Sequence, residues 1–337
     1  MKEAMLWEGL PDEKIRCRLC AHACVLAPGK KGICYVRENI DGKLVTHTYG
    51  KLIAAHVDPI EKKPLFHFQP GSLSYSIATP GCNFTCKHCQ NASISQMPRE
   101  LGIVEGEFVS PEGIVTNALS HGCKSISYTY TEPTIFFEYA YETAVIAHER
   151  GLKNIFVTNG FMTTQAIEKL SDVLDGANID LKAYSDDFYK NICGGRLEPV
   201  KEAIIAMHEK GIWVEVTTLV IPGYNDAPHE LEAIADFLLS VDPEIPWHIS
   251  AFYPTYHLTD APPTSAKTLT RAREIGLAKG IKFVYTGNIP GDEGENTYCP
   301  NCGKLLIHRV GFNIFENFLE NGVCPACHAH LKGRWQQ

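Results

Sequence analysis

From about residue 72 onward, short apolar runs alternate with longer stretches in which apolar side chains recur at helical spacing. The short runs are typical of buried strands and the longer stretches of amphipathic helices. The predicted strands are Tyr75–Thr79, Ser125–Thr129, Asn154–Thr158, Ala177–Lys182, Trp213–Leu219, Trp247–Phe252 and Lys282–Tyr285. The predicted helices are Pro111–His121, Thr134–Arg150, Thr164–Leu174, Pro199–Lys210, Ala227–Leu239 and Thr268–Lys279.

Strands that alternate with helices predict an α/β fold with a parallel sheet, because parallel neighbours need a helical crossover between them. Six such units in series are compatible with a doubly wound sheet or with a barrel. In both architectures the ligand site lies at the carboxyl ends of the strands. The polar motifs of this chain follow the predicted strands directly, at those ends.

The pattern changes on either side of this region. Residues 1–71 are polar and Gly-rich, apart from a short predicted strand at Leu44–Tyr49 and a Pro-bounded connection at Asp58–Pro64. A second Gly-rich connection follows at Gly287–Gly294. We expect an amino-terminal Cys-rich module (1–71), a central domain (72–290) and a small carboxyl-terminal module (291–337).

Composition narrows the classes of function. The 337 residues are 45% hydrophobic, and the formal net charge of −8 is spread without long runs of one sign. This balance disfavours a general grip on nucleic-acid phosphates, which needs clustered Lys and Arg. No apolar run is long enough for a membrane span, and no signal-peptide core follows Met1. We therefore expect a cytoplasmic protein with reduced thiols.

The 13 cysteines are concentrated in three clusters. Their C-x2-C spacings and the expected reducing compartment favour metal ligands over disulfides. Cys123 and Cys193 stand apart and are expected to be ordinary buried thiols, although Cys193 keeps a weaker redox or substrate role beside Gly194-Gly195. The clusters are Cys17, Cys20, Cys24 and Cys34; Cys82, Cys86 and Cys89; and Cys299, Cys302, Cys324 and Cys327.

The central cluster is a C-x3-C-x2-C loop directly after the first predicted strand. Cysteine thiolates hold iron–sulfur clusters, and three of them leave one iron of a 4Fe–4S cubane open. S-adenosylmethionine (SAM) can chelate such an iron through its amino and carboxylate groups. The alternative is a zinc knuckle completed by His88 or a distant residue, but a loop between a strand and a helix is an unusual place for one.

This loop, Cys82 to Cys89, resembles the one that defines the radical SAM superfamily, and the resemblance extends over roughly residues 72–287. It implies a partial (β/α)6 barrel of the TIM type with the cluster at the top of the first strand. It also implies reductive cleavage of SAM to a 5′-deoxyadenosyl radical, with electrons from an external reductant such as ferredoxin or flavodoxin.

The same resemblance implies SAM contacts at the ends of later strands. His88 occupies a usually aromatic position near the adenine, and Glu132 lies where the superfamily holds the SAM amino group. Asn159 belongs to a Thr-Asn-Gly segment similar to that of glycyl-radical activating enzymes, and Asp180 and Lys182 resemble their Asp-x-Lys. Each has a structural alternative: a helix start at Glu132, a turn at Asn159 and an ion pair between Asp180 and Lys182.

A narrower resemblance, nearly end to end, is to the AmmeMemoRadiSam-system radical SAM enzymes, relatives of the pyruvate formate-lyase activating enzyme. It rests on Asp58–Phe68, Cys82–Asn91, Tyr128–Pro133 and the amino-terminal cysteine pattern. It implies AMMECR-type and Memo-type partner proteins and a protein or peptide substrate, with a small molecule as the alternative. The usual Phe-His-Pro reads Phe252-Tyr253-Pro254, which leaves no histidine there.

The outer clusters each offer four thiolates. Cys299, Cys302, Cys324 and Cys327 form two C-x2-C knuckles, typical of a structural zinc ribbon or of a rubredoxin-like iron site. Cys17, Cys20, Cys24 and Cys34 are equally compatible with zinc or with an auxiliary iron–sulfur cluster. His22 lies between ligands of this second set and is a possible substitute ligand.

Two rival functions remain open from the sequence. The first is an RNA-modifying radical SAM enzyme with the zinc ribbon as its RNA grip, although the tail has few basic residues. The second is a non-catalytic electron carrier, which would use fully ligated clusters, whereas the central loop leaves an iron open.

Overall fold

Strands and short helices alternate along the chain in the computed structural model, which describes residues 1–335. Its strands are β1 (Lys2–Glu3), β2 (Trp7–Gly9), β3 (Ile15–Cys17), β4 (Val25–Leu26), β5 (Arg37–Ile40), β6 (Lys43–Thr46), β7 (Lys51–Leu52), β8 (Ala54–Pro59), β9 (Leu73–Ala78), β10 (Glu107–Phe108), β11 (Ser125–Tyr128), β12 (Lys153–Thr158), β13 (Gly176–Asp180), β14 (Trp213–Val220), β15 (Trp247–Ala251), β16 (Val284–Gly287), β17 (Thr297–Tyr298), β18 (Leu305–Val310) and β19 (Asn313–Asn317). Its α-helices are α1 (Ala92–Ser95), α2 (Met97–Glu100), α3 (Pro111–Ser120), α4 (Phe137–Glu149), α5 (Thr164–Leu170), α6 (Asp186–Phe188), α7 (Leu197–Glu209), α8 (Pro228–Val241) and α9 (Ala266–Lys279). Single turns of 3₁₀ helix cover Ile60–Lys62, Pro133–Phe136 and Glu293–Glu295, and a π-helical turn covers Tyr189–Cys193.

The central sheet has eight strands in the order β16-β15-β14-β13-β12-β11-β9-β8. Seven of these strands, β9 and β11 to β16, run parallel to one another, which confirms the predicted α/β class. Strands β8 and β16 each pair on one side only, so the sheet is open between them, as a partial barrel requires.

Strand β8 was not predicted from the sequence pattern. It runs antiparallel to β9, with Val57 opposite Tyr75. The strand lies at the edge of the sheet, where His56 and Val57 are exposed. An edge strand has one free side, so it lacks the continuous apolar pattern of the buried parallel strands. The predicted connection at Asp58–Pro64 therefore begins inside the central sheet.

The helices follow the predicted bounds to within a few residues because their starts carry clear signals. Ser110 and Ser265 cap α3 and α9 by accepting a hydrogen bond from the first turn, and Pro111 occupies the first position of α3. Helix α9 ends at Gly280, whose φ of +114° favours glycine. None of the helices in residues 1–335 is both long and apolar enough to cross a membrane.

The amino-terminal segment forms two small antiparallel sheets, β1-β6-β5 and β2-β3-β4, and only a strand near β6 was predicted there. A buried ion pair joins this segment to the central domain. The Arg37 guanidinium donates to both carboxylate oxygens of Glu138 on α4, at 2.8 and 3.1 Å. The two side chains are 2% and 0% exposed, so the pair is fully enclosed.

The carboxyl-terminal strands β17, β18 and β19 form an antiparallel sheet that packs on the start of β16. Phe283 and Tyr285 share an apolar cluster with Phe66 and with Leu306 of β18. His67 bonds the Tyr285 hydroxyl at 2.6 Å. The amino-terminal ends of parallel strands meet at one end of a barrel, so this module covers the end opposite to the predicted ligand site.

Candidate metal and SAM site

The loop that carries the central cysteines is held by the turn at Tyr189–Cys193. The amide of Thr85 donates to Cys193 O (2.8 Å), and the amide of Lys87 donates to Ile192 O (2.9 Å). Any side chain at Gly194 would overlap Thr85, and any side chain at Gly195 would overlap Phe84. Two glycines are therefore required for this close approach. A π-helical turn is uncommon and frequently marks a functional site.

The loop opens onto a cavity of about 500 Å³ at the carboxyl ends of the parallel strands. Every residue predicted to hold the central cluster or SAM lines this one cavity. The loop after β9 contributes three thiols and an imidazole, and the ends of β11, β12 and β13 contribute the other side chains. These residues are Cys82, Cys86, His88, Cys89, Glu132, Asn159, Asp180 and Lys182.

The chemistry of the loop fits an iron–sulfur cluster. Cys86 is buried, and Cys82 and Cys89 are partly exposed. Burial raises the pKa of Cys82 well above its usual value, and the Glu132 carboxylate raises it further. A thiolate here therefore needs a positive charge beside it, which a bound metal supplies. Thiolates are the ligands that such clusters use, so the three residues suit the group.

Glu132 joins the ends of two neighbouring strands. Its carboxylate accepts hydrogen bonds from Oγ1 of Thr158, the last residue of β12 (2.6 Å), and from the amide of Asn159, which follows β12 (2.8 Å). It also accepts from the Thr134 amide (3.0 Å) and so caps the following helical turn. Burial raises the pKa of Glu132, although these hydrogen bonds oppose the shift. The Glu132 side chain thus caps a helical turn, which was its structural alternative, and it also lines the cavity.

Asn159 lies between the cluster loop and the third strand. Its side-chain amide donates to Asn83 Oδ1 at 2.7 Å and lies 3.8 Å from Cys82 Sγ. The side-chain Oδ1 atom of Asn159 accepts a hydrogen bond from the Phe161 amide at 2.9 Å, which closes the predicted turn. Gly160 follows with a φ of +69° and has no room for a side chain beside Ile179. Asn159 therefore positions the first cysteine of the loop.

Asp180 and Lys182 form an ion pair, with Lys182 Nζ 2.7 Å from Asp180 Oδ2. Burial by itself lowers the pKa of Lys182, but Asp180 and the nearby Cys86 outweigh this and raise it well above its usual value. The side chain is 14% exposed and remains a cation. A fixed positive charge beside Cys86 stabilises an anionic group in the cavity.

His88 presents a neutral ring to the cavity. Burial and, to a smaller extent, Lys182 lower the pKa of its imidazole to about 3. Within the described residues, its Nδ1 atom is buried and has no hydrogen-bond partner. A buried polar atom without a partner is costly unless a ligand or a water satisfies it. His88 is therefore suited to contact a bound molecule.

Two further groups lie at or beside the cavity: Cys193, for which the sequence left a redox or substrate role open, and Lys63, which was not predicted. Cys193, expected to be an ordinary thiol, lies with its sulfur within 4.8 Å of ligand atoms of Cys86 and His88. Lys63, 2% exposed, lines the opposite side and donates to Asp58 at 2.6 Å. Burial lowers the pKa of Lys63 to about 8. The glycines after Cys193 were a sequence signal for the first, whereas nothing local indicated the second.

The carboxyl-terminal thiols lie close together. Cys299 Sγ is 3.5 Å from Cys327 Sγ, and Cys302 Sγ is 3.8 Å from Cys324 Sγ. All four sulfur atoms lie within 4.8 Å of one another. Such a set can close around one tetrahedral ion.

The amino-terminal thiols also face one another, at wider spacing. Burial raises the pKa of Cys20 well above its usual value, and Cys17, Cys34 and Cys24 raise it further. In residues 1–335, no three of these sulfur atoms lie within 4.8 Å of one another. His22 does not point into the set, because its Nε2 atom bonds Asn83 O at 2.8 Å.

Comparison with known proteins agrees with this geometry. The family model described as "Radical SAM superfamily" matches residues 76–238. An uncharacterized protein of Methanocaldococcus jannaschii is 47% identical over 330 residues, which is 97% of this chain and 98% of that protein. A putative glycyl-radical enzyme activating enzyme of the same organism is 25% identical over 206 residues, 60% of this chain and 76% of the relative.

Solved structures show the same fold. A radical SAM methyltransferase from Sphaerobacter thermophilus superimposes with a TM-score of 0.51 at 17% identity, covering 71% of each chain. At this identity the likeness concerns the fold alone. The benzylsuccinate synthase activating enzyme of Thauera aromatica, a sequence relative, is 24% identical over 41% of this chain and 44% of its own.

Proposed function

Since the chain belongs to the radical SAM superfamily and is an enzyme of that type, we propose that the cavity under the cluster loop is its active site. The observation that carries the proposal is the convergence of Cys82, Cys86 and Cys89 with the ends of three further strands around one space. A 4Fe–4S cluster bound there supplies the electron that cleaves SAM into methionine and a 5′-deoxyadenosyl radical.

The residues of the chain hold and orient the two cofactors. Asn159 steadies Cys82 through Asn83, and the Lys182 cation balances negative charge beside Cys86. His88 offers a neutral ring and a free Nδ1 atom. Because Glu132 is hydrogen-bonded to Thr158 and Asn159, its carboxylate is fixed in the cavity wall and would be available to the amino group of bound SAM.

The substrate that we propose is a protein or peptide segment. A cavity of about 500 Å³ is within the range that one drug-sized ligand fills, so the substrate reaches the site by a projecting group. An exposed tyrosine lies beside the mouth: Tyr253, 49% exposed, donates to the backbone oxygen of Asn288, which lines the cavity. Exposed aromatic rings are typical of protein interfaces. The names of two relatives as activating enzymes support the same class.

The test of SAM cleavage uses anaerobic protein reconstituted with iron and sulfide, then given SAM and dithionite. We expect 5′-deoxyadenosine from the natural chain and from Cys123→Ala, a buried cysteine outside the cavity. Cys86→Ala should form none above background. A natural chain with a full cluster that forms no more 5′-deoxyadenosine than Cys86→Ala would overturn the proposal.

The class of substrate is tested by adding cell fractions to this assay. Stimulation that protease abolishes supports a protein or peptide. Stimulation that survives protease and passes an ultrafiltration membrane indicates a small molecule, and stimulation that ribonuclease abolishes indicates RNA.

Radical SAM enzymes need an external reductant, and we propose a ferredoxin or flavodoxin in the cytoplasm, where thiols stay reduced. The resemblance to the AmmeMemoRadiSam group supports AMMECR-type and Memo-type partner proteins. Affinity capture on the reconstituted enzyme, with the Cys86→Ala chain as the control bait, tests whether proteins of these types bind.

A further inference from the structure

Each of the two outer sites has four cysteine thiols, but the spacing between the sulfur atoms differs. Four sulfurs that surround one zinc ion at about 2.3 Å are about 3.8 Å apart, from the geometry of a tetrahedron. The carboxyl-terminal pairs match this value, at 3.5 Å for Cys299 and Cys327 and 3.8 Å for Cys302 and Cys324. This set therefore shows how the chain arranges thiols for a single ion.

The central loop shows how the same chain arranges thiols for a cluster. Within residues 1–335, the sulfur atoms of Cys82, Cys86 and Cys89 do not all lie within 4.8 Å of one another. A wider set suits a cubane, because each sulfur binds a different iron atom rather than a shared one.

In the spacing of its sulfur atoms, the amino-terminal set resembles the central loop and not the carboxyl-terminal set. Its residues lie close together: the sulfur atoms of Cys24 and Cys34 are 3.7 and 3.8 Å from the position that a Cβ atom on Gly32 would take, and the Cys17 amide donates to Cys24 O at 2.9 Å. However, no three of the four sulfurs meet the 4.8 Å limit in the described chain. We propose that Cys17, Cys20, Cys24 and Cys34 hold an iron–sulfur cluster that delivers electrons to the central site.

The position of the amino-terminal set supports this role. His22, two residues after Cys20, bonds the backbone oxygen of Asn83, the residue next to Cys82, at 2.8 Å. Cys20 also forms a β-bridge with Met162, which lies on the loop after β12. Only a few residues therefore separate the two sets of thiols. The carboxyl-terminal set lies at the opposite end of the barrel.

The electron balance of the relay is simple. A low-potential one-electron donor protein reduces the amino-terminal group and is itself oxidised by one electron. That electron passes to the central site, and the amino-terminal group returns to its starting state. No proton or bond is exchanged in this step. The relay rests on the proposed SAM chemistry, whereas the identity of the amino-terminal metal does not.

The first test measures iron, zinc and acid-labile sulfide per chain in anaerobically reconstituted full-length protein. The variant Cys20→Ser/Cys24→Ser should lose about half of the iron and sulfide and keep its zinc. The matched variant Cys302→Ser/Cys327→Ser should lose zinc and keep its sulfide. Loss of zinc with unchanged sulfide in the first variant would overturn the proposal.

A second measurement on the natural chain covers the case in which that variant does not fold. Electron paramagnetic resonance of the fully reduced protein should integrate to two clusters, of which SAM perturbs only one. A single signal that SAM perturbs completely contradicts the proposal. Neither readout requires SAM cleavage, so failure here is distinguishable from failure of the proposed function.

The relay is tested by stopped-flow reduction with a reduced ferredoxin. In Cys20→Ser/Cys24→Ser that retains the SAM-sensitive signal, reduction of the central site should slow by an order of magnitude or more. Reduction at the rate of the natural chain would refute the relay.

Discussion

The amino-terminal and carboxyl-terminal modules each contain four clustered cysteines, but they differ in the spacing of the thiols and in their position on the barrel. The first joins the mouth of the barrel through His22 and a buried ion pair at Arg37. The second covers the far end through an apolar cluster around Phe66 and Leu306. Four cysteines thus lie next to the candidate active site in one module and at the opposite end of the barrel in the other. Spacing and neighbours, rather than ligand type, separate the two.

The largest expected effect follows from removing one of the four carboxyl-terminal thiols, which we propose bind a zinc ion. Zinc binding contributes about 10–16 kcal/mol to small modules of this kind, and β17 to β19 bury only a small core. Cys299→Ala should therefore release the metal and unfold residues 297–335 while the barrel stays folded. Limited proteolysis should cleave this module rapidly in the variant. Resistance equal to that of Cys123→Ala would show that the apolar cluster alone holds it.

The next largest effect concerns the buried pair that docks the amino-terminal module. Glu138→Gln leaves the Arg37 charge enclosed without a counter-charge, which costs about 3–5 kcal/mol. Glu142→Gln, one turn later on α4, is the control, because its pair with Lys2 is about one-third exposed and should change stability by less than about 1 kcal/mol. Thermal unfolding measures both. Equal shifts would mean that the buried pair does not dock the module.

His67, at the far end of the barrel, should make the free energy of unfolding depend on pH. Burial, more than any other cause, lowers the pKa of His67 to about 4, whereas an unfolded histidine titrates near 6.5. The unfolded chain therefore binds more protons between these pH values, and stability falls as pH drops from about 6.5 to 4, by about 3 kcal/mol in total. His67→Gln should flatten this part of the unfolding profile. The exposed His121, changed to Gln as the control, should leave it unchanged.

The smallest effect concerns the central site itself. A hydrogen bond from Cys193 is the main cause that lowers the pKa of Cys86, and donors to a ligand sulfur stabilise the reduced cluster. Cys193→Ala should lower the midpoint potential of the SAM-sensitive signal by about 40 mV, the equivalent of about 1 kcal/mol. Redox titration should show no change in the amino-terminal cluster. A potential equal to that of Cys123→Ala would assign Cys193 to packing alone.

Much of the fold was readable from the sequence because the parallel strands are buried on both faces. Strand β12, for example, contains the apolar run Ile155–Val157, and α3, α5, α8 and α9 each have a capping side chain or a proline at their start. Strand β8 and, apart from β6, the strands of the small sheets before it were not predicted. They are short or exposed at an edge, and their stability comes from contacts with distant segments.

Some residues of the candidate site were also predictable from the sequence, and others were not. The spacing of Cys82, Cys86 and Cys89 predicted a cluster loop, and the strand ends predicted where its neighbours lie. Asp58 pairs with Lys63 and also accepts a hydrogen bond from Tyr130, which lies 72 positions later in the chain. No local pattern encodes such a meeting. The same holds for Arg37 and Glu138, which are 101 positions apart.

The bond between His67 and residues of the carboxyl-terminal module has a consequence for biosynthesis. His67 contacts Tyr285 and Lys332, which follow it by 218 and 265 positions. At about 5–20 residues per second, the ribosome needs roughly 10 to 50 seconds to supply these partners. The cluster loop and every residue that lines its cavity, up to Asn288, are made before Lys332, the later of these two partners. The mouth of the barrel is thus complete while its floor is still being translated.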